Sequence, residues 1–537
     1  NGEKLPIRNP LFGMSPRMQY KSRVKSFILF FVSIGIAQAS SWASYLGPNG
    51  NGTAEGNIPA EIQQNGPRKL WEAKVGIGCA SFVIDQGRAI TVGNTDDKDT
   101  LWCFNARTGE LFWKKTYDEK LAPKYYDGGP GATPTIHGDV VYNLSKSGRL
   151  SCHDLKTGAE KWIVHFKDDL SGNMPTWGYS SSPFIYRDLL ICLPCSKDGA
   201  MVALDKTTGK VKWQSQNTAR PGYAAPVFYK KNGKDAAVVF HGRKIVGYDL
   251  TAKGKVLYEF DWRTSYDVNA SNPTVLGDLI HFSSGYNMGY AVIDISGDKP
   301  EIVHRNRDLP MIFQNSFLMG DDLVGCFGDK RYNTELYRMD FKTGEILWKH
   351  KLPGTRGSTA QIGETTVVLT ETGHLVFGKA TEKGFTETGR HEVLTKLCWA
   401  PLAIGEGKLL ARTNKGQAVC LELSPGNPTA KNKGNSSKKV ATAGQDLAAL
   451  ITGLNQYKTI GGSYPSNAQG IEALFKKPTT SPRPRRWTQL LAKMPRDPWK
   501  NPYKYSYPGA RDPSKPEIIS AGPDGKFGTK DDISNQD

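Results

Sequence analysis

The sequence predicts a mainly β protein in two parts, an eight-bladed β-propeller followed by a small α+β domain. Three observations support this fold class. A strand–turn–strand phrase recurs eight times, a polar segment then interrupts the pattern, and the C-terminal residues show helical apolar spacing followed by Pro-rich strands. The composition agrees, because 10% aromatic residues and 57 Gly suit short strands joined by many turns.

The chain opens with a leader, residues 1–39. Three basic residues precede the apolar run 27–36, and Ala-Gln-Ala follows at 37–39. These are the parts of a secretory signal peptide over about residues 21–39. The apolar run is shorter than the roughly 20 residues that cross a bilayer. We therefore expect export to the periplasm or the cell surface with no transmembrane anchor after cleavage, an uncleaved anchor being the alternative.

The repeats occupy residues 69–423, after a lead-in of residues 40–68. In each copy a strand ends in a polar residue, a turn follows, and the next strand typically carries Trp, as from Asp154 through Gly158 to Trp162. The spacing of 39 to 51 residues is typical of four-stranded propeller blades. The polar residues that mark the eight copies are Asn105, Asp154, Asp205, Asp249, Asp294, Asp340, Lys379 and Glu422.

The eighth copy ends without its outer strand, and Lys69-Leu-Trp71 provides one ahead of the first full copy. We expect this first strand to close the last blade, since closure removes an edge that invites aggregation. The other repeated residues have structural reasons as well. Gly permits the positive φ of the turn, Trp fills the space between blades, and the acidic residue accepts hydrogen bonds from turn amides.

Few features of the sequence indicate catalysis. Cys192 and Cys195 have redox spacing, but their strand–turn context lacks the helix N-terminus that lowers a thiol pKa. The remaining six of the eight Cys are isolated in strand-like runs, and a disulfide stays open as an alternative. The nine His show no metal-ligand spacing. The net charge of +18 comes without a nucleic-acid motif, so we expect no nucleic-acid partner.

Hydrogen-bonding side chains at the ends of the inner strands are expected to ring the propeller channel. Such a ring is either a platform for a ligand or peptide, or only the polar mouth of the channel. The candidates for this channel mouth are Trp177, Ser181, Ser182, Asn269, Asn272, Asn315 and Ser316.

The repeat phrase A-x-D-x-x-T-G-x-x-x-W resembles that of the pyrroloquinoline-quinone-like propellers over about residues 42–423. That superfamily includes quinoprotein alcohol dehydrogenases and a non-catalytic outer-membrane-assembly lipoprotein, so the resemblance implies fold more than function. Its dehydrogenases hold the quinone between an adjacent Cys pair and a Trp, beside calcium. No adjacent Cys pair occurs here, and Trp177 suits packing equally well, so we expect no bound quinone.

The second part begins after a basic polar linker, residues 424–443, and covers residues 444–537. Leucines from Leu447 to Leu454 recur at helical spacing, which predicts an amphipathic helix. Ser466-x-x-Gln469 reads as a capping box that opens a second helix.

This part resembles the major pseudopilin of type II secretion systems. Phrases such as Gly462-Ser-Tyr-Pro465 and Asp497-Pro-Trp-Lys-Asn-Pro-Tyr503 occur in family order. The family module ends in a calcium loop, so the resemblance implies a calcium site, with an ordinary acidic turn as the alternative. The implied ligands are Ser520, Asp524, Asp531 and Asp532. The family polymerises through a hydrophobic N-terminal helix, and a propeller stands in its place here, which favours docking over pilus assembly.

The sequence thus predicts an exported, non-enzymatic scaffold or binding protein. Its propeller would bind a protein or another ligand. Its tail would bind calcium and dock to proteins of the cell envelope or the secretion machinery. One alternative is an oxidoreductase that uses pyrroloquinoline quinone, and another is a structural subunit associated with pseudopilins.

Overall fold

The computed structural model describes residues 41–328, 334–424, 434–529 and 531–536. The predicted leader with its signal peptide lies outside the described residues, and so do residues 425–433 of the predicted linker.

In the described repeat region, eight antiparallel sheets follow one another along the chain, numbered here in that order. Sheet 1 contains Val83–Asp85, Arg88–Thr95, Lys98–Asn105 and Leu111–Asp118, and sheet 2 contains Thr135–His137, Val140–Leu144, Arg149–Asp154 and Glu160–His165. Sheet 3 contains Phe184–Tyr186, Leu189–Cys192, Val202–Asp205 and Val211–Gln214, and sheet 4 contains Val227–Lys231, Lys234–Phe240, Lys244–Asp249 and Lys255–Asp261. Sheet 5 contains Thr274–Leu276, Leu279–Ser284, Gly289–Asp294 and Glu301–Asn306, and sheet 6 contains Ser316–Met319, Asp322–Phe327, Glu335–Asp340 and Ile346–Lys351. Sheet 7 contains Gly357–Ile362, Thr365–Thr370, His374–Thr381 and Gly384–Glu392, and sheet 8 contains Ala403–Gly405, Lys408–Arg412 and Gln417–Glu422.

The missing strand of sheet 8 comes from the start of the chain. Arg68–Lys74, called the closing strand below, pairs antiparallel with Gln417–Glu422, and Trp71 lies opposite Cys420. This pairing confirms the predicted closure. Thr53–Ala54 adds a fifth, parallel strand to sheet 7. The short helices of this region are Ala60–Asn65, Phe166–Leu170 and the 3-10 turn Ser265–Asp267.

The acidic residue of the repeat organises the turn that follows it. Asp154 Oδ1 accepts hydrogen bonds from the backbone N–H groups of Lys156 and Thr157, at 3.2 and 2.9 Å. Gly158 then takes a φ of 69°, in the left-handed region that glycine tolerates best. The same arrangement recurs after Asn105, which supports the structural interpretation of the repeated phrase.

Where the repeated Trp occurs, it joins its sheet to the next one. Trp71 of the closing strand donates its indole N–H to Ala106 O at 3.0 Å, and its ring lies against Gly109 of sheet 1. Trp113 repeats this contact at the next interface by donating to Leu155 O at 3.0 Å. Buried apolar side chains fill the rest of these interfaces, so the hydrophobic core lies between the sheets.

The C-terminal part contains the helix Gly434–Gly461, the 3-10 turn Ile471–Leu474 and one antiparallel sheet of three short strands, Lys504–Ser506, Glu517–Ser520 and Ile533–Ser534. Leu447, Leu450 and Leu454 lie in its core. Among the described residues, no helix combines the length and the apolar character that a bilayer crossing requires.

Two boundaries of this part differ from the sequence prediction. The helix begins at Gly434, inside the segment 424–443 that the sequence analysis assigned to the linker. Residues 434–446 carry no apolar periodicity, yet they contain no Pro and can extend a helix that is anchored further on. The predicted second helix is a single 3-10 turn; Gln469 Oε1 accepts the Ser466 N–H at 3.0 Å just before it.

Candidate functional site

A cavity of about 320 Å³ opens where the connections between successive sheets meet. Each of the eight connections contributes at least one lining residue, which places the cavity on the axis that the sheets surround. Representatives of the eight connections, in chain order, are Cys79, Tyr126, Trp177, Tyr223, Val268, Phe313, Arg356 and Trp399.

Arg356 forms a cationic centre in the wall of this cavity, with only 8% of its side chain exposed. Its guanidinium carbon lies 5.4 Å from the ring centroids of both Phe313 and Trp399, a cation–π arrangement. Nη1 donates to Glu371 Oε2 at 3.1 Å, while Nε is buried without a hydrogen-bond partner among the described residues. An unpartnered buried donor is costly, so the guanidinium keeps unused hydrogen-bonding capacity in the wall of the cavity.

Glu371 is the counterion of this centre. Burial acts to raise the pKa of its carboxyl, but hydrogen bonds from Thr355 and the charge of Arg356 outweigh burial, so the pKa lies below its ordinary value. The Trp399 indole N–H also donates to Glu371 Oε2, at 3.3 Å. The carboxylate therefore stays ionised and holds both the guanidinium and the indole in place.

Three tyrosines at the rim of the cavity are exposed in strained conformations. Tyr125, Tyr266 and Tyr286 are 92%, 72% and 40% exposed, and their φ angles are 64°, 61° and 58°. Bulky residues adopt this left-handed region rarely, and such outliers cluster at functional sites. Trp177 lies 6.3 Å from the Tyr266 ring, and Tyr266 lies 5.9 Å from Tyr286, so the rim presents a connected aromatic surface.

The structure separates the predicted channel-mouth residues into two groups. Trp177 lines the cavity, whereas the other six lie outside its lining. Most of them form hydrogen bonds to the backbone of a neighbouring sheet or connection. Ser182 Oγ accepts the Thr133 N–H at 2.9 Å, and Asn272 Oδ1 accepts the Ala225 N–H at 2.9 Å. The Asn315 side-chain amide donates to Thr359 O and accepts the Thr359 N–H. Asn269 and Ser316 are likewise buried in hydrogen bonds, and Ser181 Oγ is buried without a described partner.

The cysteine pair with redox spacing is inert. Cys192 and Cys195 are buried free thiols, and burial raises the pKa of Cys195 to about 12. His241 Nδ1 lies 3.6 Å from Cys195 Sγ, but burial lowers the pKa of this imidazole to about 3. A neutral imidazole beside a protonated thiol offers no activated nucleophile.

The predicted calcium loop, residues 520–532, is held closed by its own acidic side chains. Asp531 Oδ2 accepts the Asp524 N–H at 3.1 Å, and Asp532 Oδ2 accepts the Gly528 N–H at 2.7 Å. Asp532 Oδ1 is buried without a partner among the described residues, so one carboxylate oxygen remains open to a cation.

The other implied ligand, Ser520, is fully buried and donates its hydroxyl to Asp497 Oδ2 at 2.7 Å. In the described part of the chain, no three His, Cys, Asp or Glu side chains are gathered as a metal-binding group. Among the described residues of the closed loop, the buried and unpartnered Asp532 Oδ1 suits the role of a calcium ligand.

Comparison with known proteins identifies both parts. Residues 431–536 match the family model described as type II secretion system (T2SS), protein G. Residues 54–165 and 97–350 match the model described as outer membrane protein assembly factor BamB. The chain is a fusion of a BamB-family propeller with a type II secretion system protein G domain.

Relatives of the protein G domain are similar at the sequence level. The type II secretion system core protein G of Pseudomonas aeruginosa is 45% identical over 104 residues, which are 18% of this chain and 72% of that protein. The protein of the same name from Aeromonas hydrophila is 40% identical over 107 residues, 20% of this chain and 71% of the relative.

The propeller has structural neighbours at low sequence identity. The quinohemoprotein alcohol dehydrogenase from Comamonas testosteroni superposes with a TM-score of 0.51 at 12% identity, covering 71% of this chain and 80% of that enzyme. This likeness shows the fold alone.

The cavity of the propeller does not fit a calcium-held quinone. Its lining residues, all in the described part of the chain, include the cations Lys124 and Arg356 but no carboxylate. A calcium ion needs six to eight oxygen ligands, which carboxylates usually dominate. Cys79 lines the cavity without an adjacent Cys.

Sequence reasoning missed most of this cavity. Tyr223, Phe313, Arg356 and Trp399 occupy connections whose lengths and residues differ from copy to copy, so no repeat marks them. The available signal was an aromatic or basic residue shortly before an inner strand, as Arg356 stands directly before Gly357–Ile362.

Proposed function

We propose that this protein is an exported, non-enzymatic binding protein. In this proposal the eight sheets form an eight-bladed propeller that presents the cavity to a ligand. The small α+β protein G domain connects it to the type II secretion machinery. The observation that carries the proposal is the cavity itself, which is lined by aromatic rings and by Arg356, whose guanidinium lies over the rings of Phe313 and Trp399.

The chemistry of the lining supports binding rather than catalysis. Burial raises the pKa of the Cys79 thiol to about 11, so this sulfur stays protonated at neutral pH. The buried Glu371 is committed to Arg356 and Trp399, which leaves it unavailable as a general base. Aromatic rings with a few placed polar groups are the composition of a ligand pocket.

Co-purification tests the connection to secretion. A tagged full chain and a matched chain that ends at Ser424 are recovered from cells with and without an intact type II secretion system. We expect secretion components to accompany only the full chain, because the deletion removes the protein G domain. Equal recovery with both chains would assign the interaction to the propeller and overturn the proposed docking role.

The quinone-dependent oxidoreductase is the rival function, and calorimetry separates the two. Pyrroloquinoline quinone is titrated into the full chain and into an Arg356→Leu variant, with calcium present. We expect no saturable heat from either protein, because the cavity lacks carboxylates for calcium. One-site binding that disappears in the variant would revive the oxidoreductase.

We also propose that the loop 520–532 binds calcium, with Asp532 Oδ1 as the open ligand. Calcium that binds only the folded loop raises the melting temperature of the protein G domain by mass action. Asp532→Asn is expected to abolish that rise, whereas Asp512→Asn, outside the loop, leaves it intact. A calcium response that survives Asp532→Asn would place the ion elsewhere.

A further inference from the structure

The protein G domain carries a strongly basic segment, residues 476–500, with eight basic residues and one acidic residue. All eight basic side chains are exposed, and none pairs with a carboxylate in the described part of the chain. The basic residues are Lys476, Lys477, Arg483, Arg485, Arg486, Lys493, Arg496 and Lys500. Elsewhere in the structure, exposed cations commonly have carboxylate partners, as Lys98 does in Asp118.

The single acidic residue does not neutralise this surface. Asp497 is buried and turns its carboxylate inward, where it accepts hydrogen bonds from the N–H groups of Trp499 and Asn501 at 3.0 and 2.7 Å. The Ser520 hydroxyl donates to the same carboxylate. The basic segment therefore shows solvent an uncompensated positive charge.

The backbone of the basic segment is fixed to the domain core. The Arg485 N–H donates to Gly461 O at 3.0 Å, at the end of the helix Gly434–Gly461. The Trp487 indole N–H donates to Ala473 O at 2.8 Å, and the Leu490 N–H donates to Leu474 O at 2.9 Å. The charges are consequently held on one ordered stretch of chain.

The three arginines from Arg483 to Arg486 are close enough to act together. Their α-carbons span at most about 11 Å of extended chain, comparable to the Debye length of about 8 Å at physiological ionic strength. An arginine at a helix C-terminus also stabilises the helix dipole, and the Arg485 side chain lies beside Gly462. That role accounts for one arginine and leaves the others unexplained.

Apolar side chains accompany the charges. Met494 is 47% exposed, while Trp487, Leu490 and Leu491 are half-buried and pack against the core of the domain. Lys and Arg together with Trp and Leu are also the residues of amphipathic helices that lie at a membrane interface, and the non-helical basic segment shares this composition. Clusters of four to eight Lys and Arg are typical of binding to anionic lipid headgroups. This combination favours a lipid surface over an acidic protein, which would offer no acyl region for the apolar side chains.

We propose that the basic segment binds the surface of membranes that contain anionic phospholipids. The guanidinium groups contact lipid phosphates, Met494 rests at the headgroup boundary, and the protein G domain is held against the bilayer. This binding depends neither on the ligand of the propeller cavity nor on the secretion partner.

Vesicle co-sedimentation tests this proposal with the full chain. Vesicles of phosphatidylglycerol mixed with phosphatidylcholine are compared with phosphatidylcholine alone. We expect binding to the mixed vesicles only. It should be lost when salt rises from about 0.1 to about 1 M, since the Debye length falls from about 10 to about 3 Å. Equal binding to both kinds of vesicle, or binding that high salt leaves intact, would overturn the proposal.

The decisive variant is Arg483→Gln with Arg485→Gln and Arg486→Gln. Each lost contact weakens lipid binding about fivefold, so we expect about a hundredfold weaker partitioning to mixed vesicles. The matched control removes three exposed positive charges from the propeller turns through Lys156→Gln, Lys210→Gln and Lys383→Gln. It should bind like the unmodified chain. An equal loss of vesicle binding in the control would show that net charge alone causes the effect, and it would overturn the assignment of lipid binding to the basic segment.

A second variant protects the test against misfolding. Lys476→Gln with Lys477→Gln leaves the arginine at the helix end in place and is expected to weaken partitioning about 25-fold. Its melting temperature serves as the check on folding. Unchanged vesicle binding by this folded variant, or tight binding of polyglutamate with none to vesicles, would assign the basic segment to an acidic protein instead.

Discussion

His281 is the buried titratable side chain that stands out at the scale of single residues. It lies in the strand Leu279–Ser284, packed against the rings of Tyr290 and Phe327 at 5.2 and 6.2 Å. Both ring nitrogens are buried without a hydrogen-bond partner among the described residues. Burial lowers the pKa of this imidazole to about 3, so the folded protein keeps it neutral at physiological pH.

This residue makes the propeller sensitive to acid. An unfolded His titrates near pH 6.5, so the unfolded chain binds more protons than the folded chain between about pH 6.5 and 3. The stability contributed by the neutral imidazole is complete above that window. It is lost as pH falls, by up to about 1.4 kcal/mol per pH unit.

His281→Leu is expected to remove the part of this sensitivity that the His281 imidazole contributes, while the buried His241 keeps its own part. At about pH 7.5 the variant should be as stable as the parent or slightly more so, because leucine leaves no unpaired nitrogen. At about pH 5 its advantage should grow by about 2 kcal/mol. Urea unfolding at the two pH values measures both differences. A gap that stays constant with pH would mean that His281 is not the titrating group.

Arg412 yields a second prediction for a single residue. It is fully buried, and its guanidinium donates to Val92 O and Gly76 O at 2.6 and 2.7 Å, which joins sheet 8 to sheet 1. Arg412→Ala leaves these carbonyls unpaired and opens a cavity, so we expect a loss of about 3 kcal/mol. Lys379→Ala removes an exposed ion pair and should cost less than about 1 kcal/mol. Equal melting temperatures for the two variants would contradict this.

At the scale of the element, the turn glycine serves both the turn and the sheet interface. Gly109 has a φ of 74°, and a Cβ there would lie 2.6 Å from Trp71 Cγ. The hydrogen bond from Trp71 to Ala106 O keeps the ring from moving away. The Trp of the preceding sheet therefore packs against the turn of the next sheet.

Substitution separates these two roles of glycine. Gly138 has a φ of 57° and nothing within 4 Å of the position of a Cβ, so Gly138→Ala should cost only about 1 kcal/mol of backbone strain. Gly109→Ala adds the clash with Trp71 and should cost about 2 to 4 kcal/mol. Chemical denaturation of both variants gives the difference. Equal losses of stability would show that the packing of Trp71 against Gly109 contributes nothing to the free energy of unfolding.

For the whole molecule, the sequence was informative wherever one contact repeats. The spacing of the polar residue, the glycine and the Trp predicted the successive sheets, and Lys69-Leu-Trp71 predicted their closure, which the pairing with Gln417–Glu422 confirms. The cavity could not be predicted in this way. Arg356 and Phe313 meet only after the sheets have closed, and no local pattern encodes a contact between unrelated connections.

The helix start shows the same limit in the protein G domain. Apolar spacing begins at Leu447, yet the helix begins at Gly434. A polar extension is carried by helix propagation from the packed part and leaves no periodic signal. Contacts that repeat or that line an apolar face can be predicted from a sequence, whereas contacts that form only in the folded tertiary structure cannot.

The closing strand gives the last prediction, because it joins residues about as far apart as the repeat region allows. A chain that starts at Gly76 would lose Trp71 and the lead-in residues Trp42, Ala54 and Ile58 from the core and would leave Gln417–Glu422 with an open edge. Open edges recruit other chains, so we expect a lower melting temperature and concentration-dependent association.

A synthetic peptide of residues 66–75, added in excess, should restore the monomer by pairing with the open edge. A control chain that ends at Ser424 keeps all eight sheets, and its propeller should melt like that of the full chain. Sedimentation velocity and calorimetry measure both outcomes, and a monomeric, equally stable shortened chain would show that closure by the first strand is dispensable.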